Sequence, residues 1–186
     1  MRRSATTRLR QRVPDNGANE TATDARHRRA HPPRQQHVSR TFVWTDGSCN
    51  AKGVTGRGGW AALIERGGDI EQVVGSALDT THNRMELTAV CEALERVSGV
   101  IEVRTDSTYI QKCFSDGWHI RWRRDDKWRT SKGPVKNRDL WERLFALVED
   151  EAREVSFVWV KGHASEMNNN IVDRLSREAS KSHLEK

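Results

Sequence analysis

Arg84-Met85-Glu86-Leu87-Thr88-Ala89-Val90-Cys91-Glu92-Ala93-Leu94-Glu95-Arg96-Val97-Ser98-Gly99-Val100-Ile101-Glu102-Val103-Arg104-Thr105-Asp106-Ser107 is the stretch on which the architecture turns. Its first part repeats apolar side chains at Leu87, Val90, Cys91, Leu94 and Val97, which is helical spacing, with Thr81 or Asn83 available as a cap and Gly99 beyond the end. Its second part, Ile101 to Val103, reads as a short strand stopping at Thr105-Asp106-Ser107. Upstream, Phe42-Val43-Trp44 reads as a strand that stops in the same manner at Asp46-Gly47-Ser48. A strand reached from its predecessor through a helix usually lies parallel within the same sheet, so Asp46 and Asp106 are expected at one sheet edge.

Working outward, Gly53 to Gly59 reads as a glycine-rich turn, followed by strands at Trp60–Ile64 and Ile70–Val74 linked through Gly67-Gly68. Leu140, Trp141, Leu144, Leu147 and Val148 mark an amphipathic helix, Val155 to Val160 a strand, and Ile171, Val172, Leu175 and Ala179 a final helix. The order βββ-α-β-α-α-β-α predicts an α/β domain, a mixed five-stranded sheet covered by helices.

The chain has 186 residues, enough for one domain over residues 41–182 and a tail over residues 1–40. The tail holds ten Arg and no Lys against Asp15, Glu20 and Asp24, with almost no large apolar residue to offset chain entropy, so it is expected to be disordered. The tail carries +7 of the formal +6 and leaves −1 on the remainder. Within that remainder, residues 118–138 carry eight Lys/Arg against Asp125 and Asp126, a local +6 on an otherwise acidic body, which points to a polyanionic partner docking there. Cys49, Cys91 and Cys113 form no C-x-x-C pair, which suits a reducing cytoplasm. No apolar run has membrane-spanning length, so no membrane partner is expected, and a monomer is.

A strand-terminal Asp is by itself a common strand stop, and an acid early in a helix is commonly a solvated complement to its dipole. Glu86 is the sharper observation, because it sits in the first turn of its predicted helix close to the buried side; Asp173 lies early in the last helix among Ile171, Val172 and Leu175. If Asp46, Glu86, Asp106 and Asp173 converge, mutual repulsion demands a cation. All-oxygen ligands suit Mg²⁺, with Mn²⁺ as the alternative, one or two ions per site, and a pair of such ions activates water for in-line displacement at phosphorus.

The motifs Thr45-Asp46-Gly47-Ser48-Cys49, Asn83-Arg84-Met85-Glu86-Leu87, Thr105-Asp106-Ser107, Pro134-Val135-Lys136-Asn137 with Leu140-Trp141, Trp159-Val160-Lys161-Gly162-His163-Ala164, and Asn169 with Asp173 follow one another in order. In that order they closely resemble the bacterial type 1 ribonuclease H family, over about Thr41 to Ala179. The resemblance implies a ribonuclease H-like fold and an endonuclease cutting the RNA strand of RNA/DNA hybrids to 3′-hydroxyl and 5′-phosphate ends. It implies that Asp46, Glu86, Asp106 and Asp173 bind the metal, and that His163 is the family's mobile loop histidine, which shuttles a proton or assists product release.

Trp118, Trp122 and Trp128 interleave with Arg123, Arg124, Lys127 and Lys136 in a segment that resembles the family's basic protrusion, which grips the DNA strand through phosphates and sugars. A place in the core is the competing expectation for Trp118 and Trp141. Thr81, Asn83 and Asn137 match family positions that hold the DNA phosphate or hybrid backbone, and Cys49, Ser107 and Asn169 match others near the strands, where 2′-hydroxyls distinguish RNA. Three departures stand out: a longer glycine-rich loop over Asn50–Gly59, His82 where the family commonly has Asn, and Ser165-Glu166-Met167-Asn168 in place of a frequent Pro-Glu pair. The competing functions are a non-catalytic hybrid-binding module and another nuclease of the same superfamily. For the tail, nonspecific affinity for nucleic acid competes with a targeting segment and with a mistaken start site.

Overall fold

The computed structural model describes residues 39–51, 55–124, 127–162 and 166–182. Residues 1–38 of the tail, residues 52–54 of the longer glycine-rich loop, and His163 lie outside the described residues.

Three antiparallel strands open the fold: β1 (Thr41–Ala51), β2 (Gly56–Arg66) and β3 (Asp69–Thr80). Helix α1 (His82–Leu94) crosses to β4 (Gly99–Thr105), which pairs parallel with β1. Helices α2 (Thr108–Ser115) and α3 (Trp118–Arg123) follow, then a two-residue ribbon of β5 (Arg129–Thr130) and β6 (Gly133–Pro134). Helix α4 (Arg138–Val148) leads to β7 (Arg153–Trp159), and α5 (Met167–Ser182) closes the described chain. The main sheet runs β3-β2-β1-β4-β7, mixed and five-stranded as expected, with β7 parallel to β4.

Strand alternation divides the core into two layers. Val43, Ala62, Ile64, Ile101 and Val103 meet the apolar faces of α1, α2 and α4, including Leu87, Val90, Ile110, Trp141 and Leu144. On the other face Trp44, Ala61 and Leu63 pack with Val172, Ile171 and Leu175 of α5. Burying a side chain of this size contributes roughly 1.5–3 kcal/mol, so these layers fix the strand register that places the acids.

Several boundaries differ from the sequence reading, each for a local reason. Thr81 is the cap of α1, its Oγ1 accepting from the Arg84 amide at 3.3 Å, so Glu86 falls in the second turn and no acid occupies the first. The helix stops at Leu94 rather than Val97: Arg96 and Val97 donate only three residues back, and the Arg153 guanidinium takes the carbonyls of Leu94 and Val97 at 3.1 and 3.0 Å. The predicted turn at Gly53–Gly59 is largely strand, because β2 begins at Gly56. Helix α5 begins at Met167, which puts Asp173 in its middle rather than near its start. Among the described residues between β4 and β7 there are three helices and a ribbon instead of two helices; α3 and the ribbon form within the basic segment, whose polar composition conceals them.

Candidate active site and nucleic-acid interface

The register aligns Thr45 with Thr105 on the parallel pair, so Asp46 and Asp106 are the next residues on neighbouring strands. Asp46 shares strand parity with Phe42 and Trp44, the residues that face α5, and Ser176 of α5 donates its hydroxyl to Asp46 Oδ2. Glu86 arrives from the opposite layer. Its approach requires Gly47, where an added Cβ would lie 2.2 Å from the Glu86 amide nitrogen and 2.5 Å from the Met85 carbonyl carbon. Gly59 does the same for α5, since a Cβ there would lie 2.2 Å from the Ser176 carbonyl oxygen. Two glycines thus let a helix from each layer touch the sheet near its acidic edge.

The outcome is a cluster in which Asp46, Glu86 and Asp106 each offer an oxygen, all within 4.8 Å of one another. Asp173 lines the same cleft, of about 360 Å³, and is paired with Arg177 one turn later at 2.8 Å. The His82 ring nitrogen Nε2 lies 3.0 Å from Glu86 Oε1, while Glu86 Oε2 is buried without a hydrogen-bond partner. The Trp159 indole donates to the Asp106 carbonyl at 3.1 Å. Gly162, next to the residue expected to act as the loop histidine, lies so close to Asp106 that a Cβ would meet Oδ2 at 2.6 Å.

Burial, then neighbouring carboxylates, push Asp46 up to about 6 and Glu86 up to about 7, against the hydrogen bonds from Ser176 and His82 that hold them down. The hydrogen bond to Glu86 is in turn the main reason that His82 is raised. Desolvated acids this close together, one with an unpartnered oxygen, are stable as anions only beside a cation, and an all-oxygen donor set fits a hard divalent ion. The residues present therefore fit a metal site.

A second, larger cleft of about 1050 Å³ adjoins the first and shares His82, Asn83 and Tyr109 with it. Thr81, Trp118, Lys136 and Asn137 also line it, as do Arg121, Arg129 and Lys132, which belong to the eight basic residues of the segment expected to dock a polyanion but were not among the individual substrate contacts expected from sequence. Trp122 and Trp128 are only 7% and 6% exposed and pack against Trp141 and Phe145, so their rings chiefly hold the basic segment to the core; Trp122 also lines the cleft. Trp141 is wholly buried. Arg123 is paired with Glu149 beside a separate depression, and Arg124 and Lys127 are exposed outside the lining of the large cleft. Asn137 opens α4 in the left-handed region at φ 57°. Ser107 is buried at the start of α2, Asn169 is buried in α5, and the half-buried Cys49 donates to the Thr80 carbonyl at 3.4 Å.

Sequence reasoning also passed over Ser176 and Arg177, although they follow Asp173 by three and four residues, the spacing that places side chains on one helix face. Arg121 follows Trp118 by three in the same way.

Acids at one edge of a mixed sheet with helices on both faces define the class: an α/β protein of ribonuclease H-like fold. The RNase H family profile matches residues 38–181. Ribonuclease H of Thiobacillus denitrificans is 43% identical over 140 residues, 74% of this chain and 90% of that protein. Ribonuclease HI of Xylella fastidiosa is 44% identical over 138 residues, 73% of this chain and 88% of its own. Among solved structures, LC9-RNase H1, a type 1 RNase H with the type 2 active-site motif, matches with a TM-score of 0.67 and 29% identity over 78% of this chain and 74% of that one. LC11-RNase H1, solved in complex with an RNA/DNA hybrid, matches with a TM-score of 0.59 and 20% identity over 77% of this chain and 99% of that one, a likeness of fold. The chain belongs to the RNase H family, in its bacterial type 1 branch.

Proposed function

We propose that this chain hydrolyses the RNA strand of RNA/DNA hybrids endonucleolytically, with one or two divalent cations held by Asp46, Glu86, Asp106 and Asp173, leaving 3′-hydroxyl and 5′-phosphate ends. The observation that carries the reading is the convergence of those carboxylates on one cleft from β1, α1, the end of β4 and α5. When bound, Mg²⁺, with Mn²⁺ as the alternative, supplies Lewis acidity for water attack and neutralises charge at the leaving oxygen.

The chain's own residues orient the substrate. Arg121, Arg129, Lys132 and Lys136 hold the DNA strand by its phosphates, assisted by Thr81, Asn83 and Asn137, with Trp118 against sugars. Arg123, Arg124 and Lys127 add long-range attraction, and Trp122 and Trp128 act by shaping the segment that bears them. Cys49, Ser107 and Asn169 lie along the strands near the cut, and His163 moves a proton or aids product release. Residues 41–182 are the catalytic domain, and the Arg-rich residues 1–40 an arm that raises affinity for nucleic acid. We read the enzyme as monomeric and cytoplasmic; free Cys49, Cys91 and Cys113 suit a reducing compartment, and among the described residues no helix is long and apolar enough to cross a membrane.

Labelled RNA/DNA hybrid, double-stranded RNA and double-stranded DNA, each with Mg²⁺, Mn²⁺ or chelator, test the proposal. Internal cuts in the RNA of the hybrid alone, abolished by chelator, are expected. A hybrid bound intact with either ion would favour a binding module, and cleavage of double-stranded DNA another nuclease of this fold.

A further inference from the structure

We propose that His82 and Ser176 are positioning residues for the cation site, each engaging one oxygen of a cluster carboxylate so that the other oxygen is left for the ion. The inference rests on the metal-site reading above and goes beyond it by assigning the groups that orient the ligands.

Three carboxylates with oxygens within 4.8 Å repel one another, and each can relieve that repulsion by rotating its side chain away. Neutral or cationic donors on the far oxygens oppose the rotation. Ser176 is fully buried, and its single hydroxyl proton has two acceptors in reach: Asp46 Oδ2, which is nearer, and the Asp173 carbonyl at 3.0 Å. A serine that merely folds back on its own helix would bond the carbonyl alone. Here the hydroxyl bridges the acid of β1 to the turn of α5 that carries Asp173. His82 acts one turn before Glu86 on the same helix, with Nε2 3.0 Å from Oε1, which leaves the buried and unpartnered Oε2. The His82 side chain is largely exposed, but it is exposed into the site, lining both the acidic cleft and the basic one. Asp46 and Glu86 thus each receive a donor from a helix, and the two donors come from opposite layers of the fold.

Partners of metal-binding side chains typically change affinity by about 10- to 100-fold when lost. The test is calorimetric titration of Mn²⁺ into the substrate-free full chain at about pH 8, where both raised carboxylates are ionised. Asp106→Asn serves as the site control, and melting of each variant in chelator checks its fold. His82→Ala and Ser176→Ala should each weaken Mn²⁺ binding roughly tenfold, and His82→Gln, whose amide nitrogen reaches like Nε2, should stay near wild type. Raising Mn²⁺ should restore the hybrid cleavage rate of both alanine variants, which a folding lesion would not permit. Unchanged affinity in the alanine variants, an equally weak His82→Gln, or a deficit that no Mn²⁺ concentration repairs would overturn the assignment while leaving the metal site standing. Wild-type Mn²⁺ binding that is indifferent to Asp106→Asn would overturn the metal site and this inference with it.

Discussion

Asp46 and Glu86 show what single residues give up for chemistry here. Burial lifts them to about 6 and about 7 from ordinary values of 3.8 and 4.5, so between those limits the folded chain holds more protons than the unfolded one. Stability therefore falls as pH rises through that window, by roughly 1.4 kcal/mol for each such group over every tenfold drop in proton concentration. His82, whose value is raised, acts in the same direction, since its stabilising charge is lost with rising pH. In chelator, the urea midpoint should be lower at about pH 8 than at about pH 5, and saturating Mg²⁺ should recover much of the difference. Equal midpoints at the two pH values would contradict the burial account. By the same reasoning Asp46→Asn, melted in chelator at about pH 8, should stabilise the fold by about 1–3 kcal/mol while removing cleavage. Gly47→Ala should do the reverse on the fold: its methyl would strike backbone of α1, and denaturant titration should show a loss of about 1–3 kcal/mol together with reduced cation affinity.

At the scale of elements, what could be read from sequence was what periodicity and parallel crossover impose. The α1-to-β4 crossover and the end of β4 just before Asp106 were legible because apolar spacing and strand length encode them, whereas the expected stop at Asp46 was not met: β1 continues to Ala51 against β2, and only its pairing with β4 ends at Thr45. The start of α5 was not, because Asn168, Asn169 and Asn170 carry no helical signal and the helix is held by Val172 and Leu175 further along. The groove was legible as charge, but not which charges face it. That choice depends on α3 and the ribbon, which point Arg121, Arg129 and Lys132 into the cleft and turn Arg123 toward Glu149. Alanine at Arg121 and Lys132 should accordingly weaken hybrid binding and lower the salt slope by about one for each phosphate no longer neutralised. Arg123→Ala should change that slope less in the same filter-binding series, and a larger effect from Arg123 would mean the hybrid follows another path.

For the whole molecule, charge is segregated: an acidic cleft adjoins a basic one, within a body whose residues 41–186 sum to −1, and an arm of +7 precedes them. On the proposed reading, an acidic cleft that binds cations next to a basic groove that binds phosphates would hold one strand and expose the other to cleavage, the geometry a strand-selective nuclease needs. Deleting residues 1–38 should lower hybrid affinity chiefly at low salt and leave kcat unchanged; equal affinity at two salt concentrations would remove the arm from binding. On the proposed reading, cleavage depends on acids far apart in sequence sharing divalent ions. Asp106→Asn, assayed on labelled RNA/DNA hybrid in Mg²⁺, reads this most directly. The rate should fall by about three orders of magnitude or more, as expected when a group that stabilises transition-state charge is removed, while wild-type turnover by that variant would contradict the account.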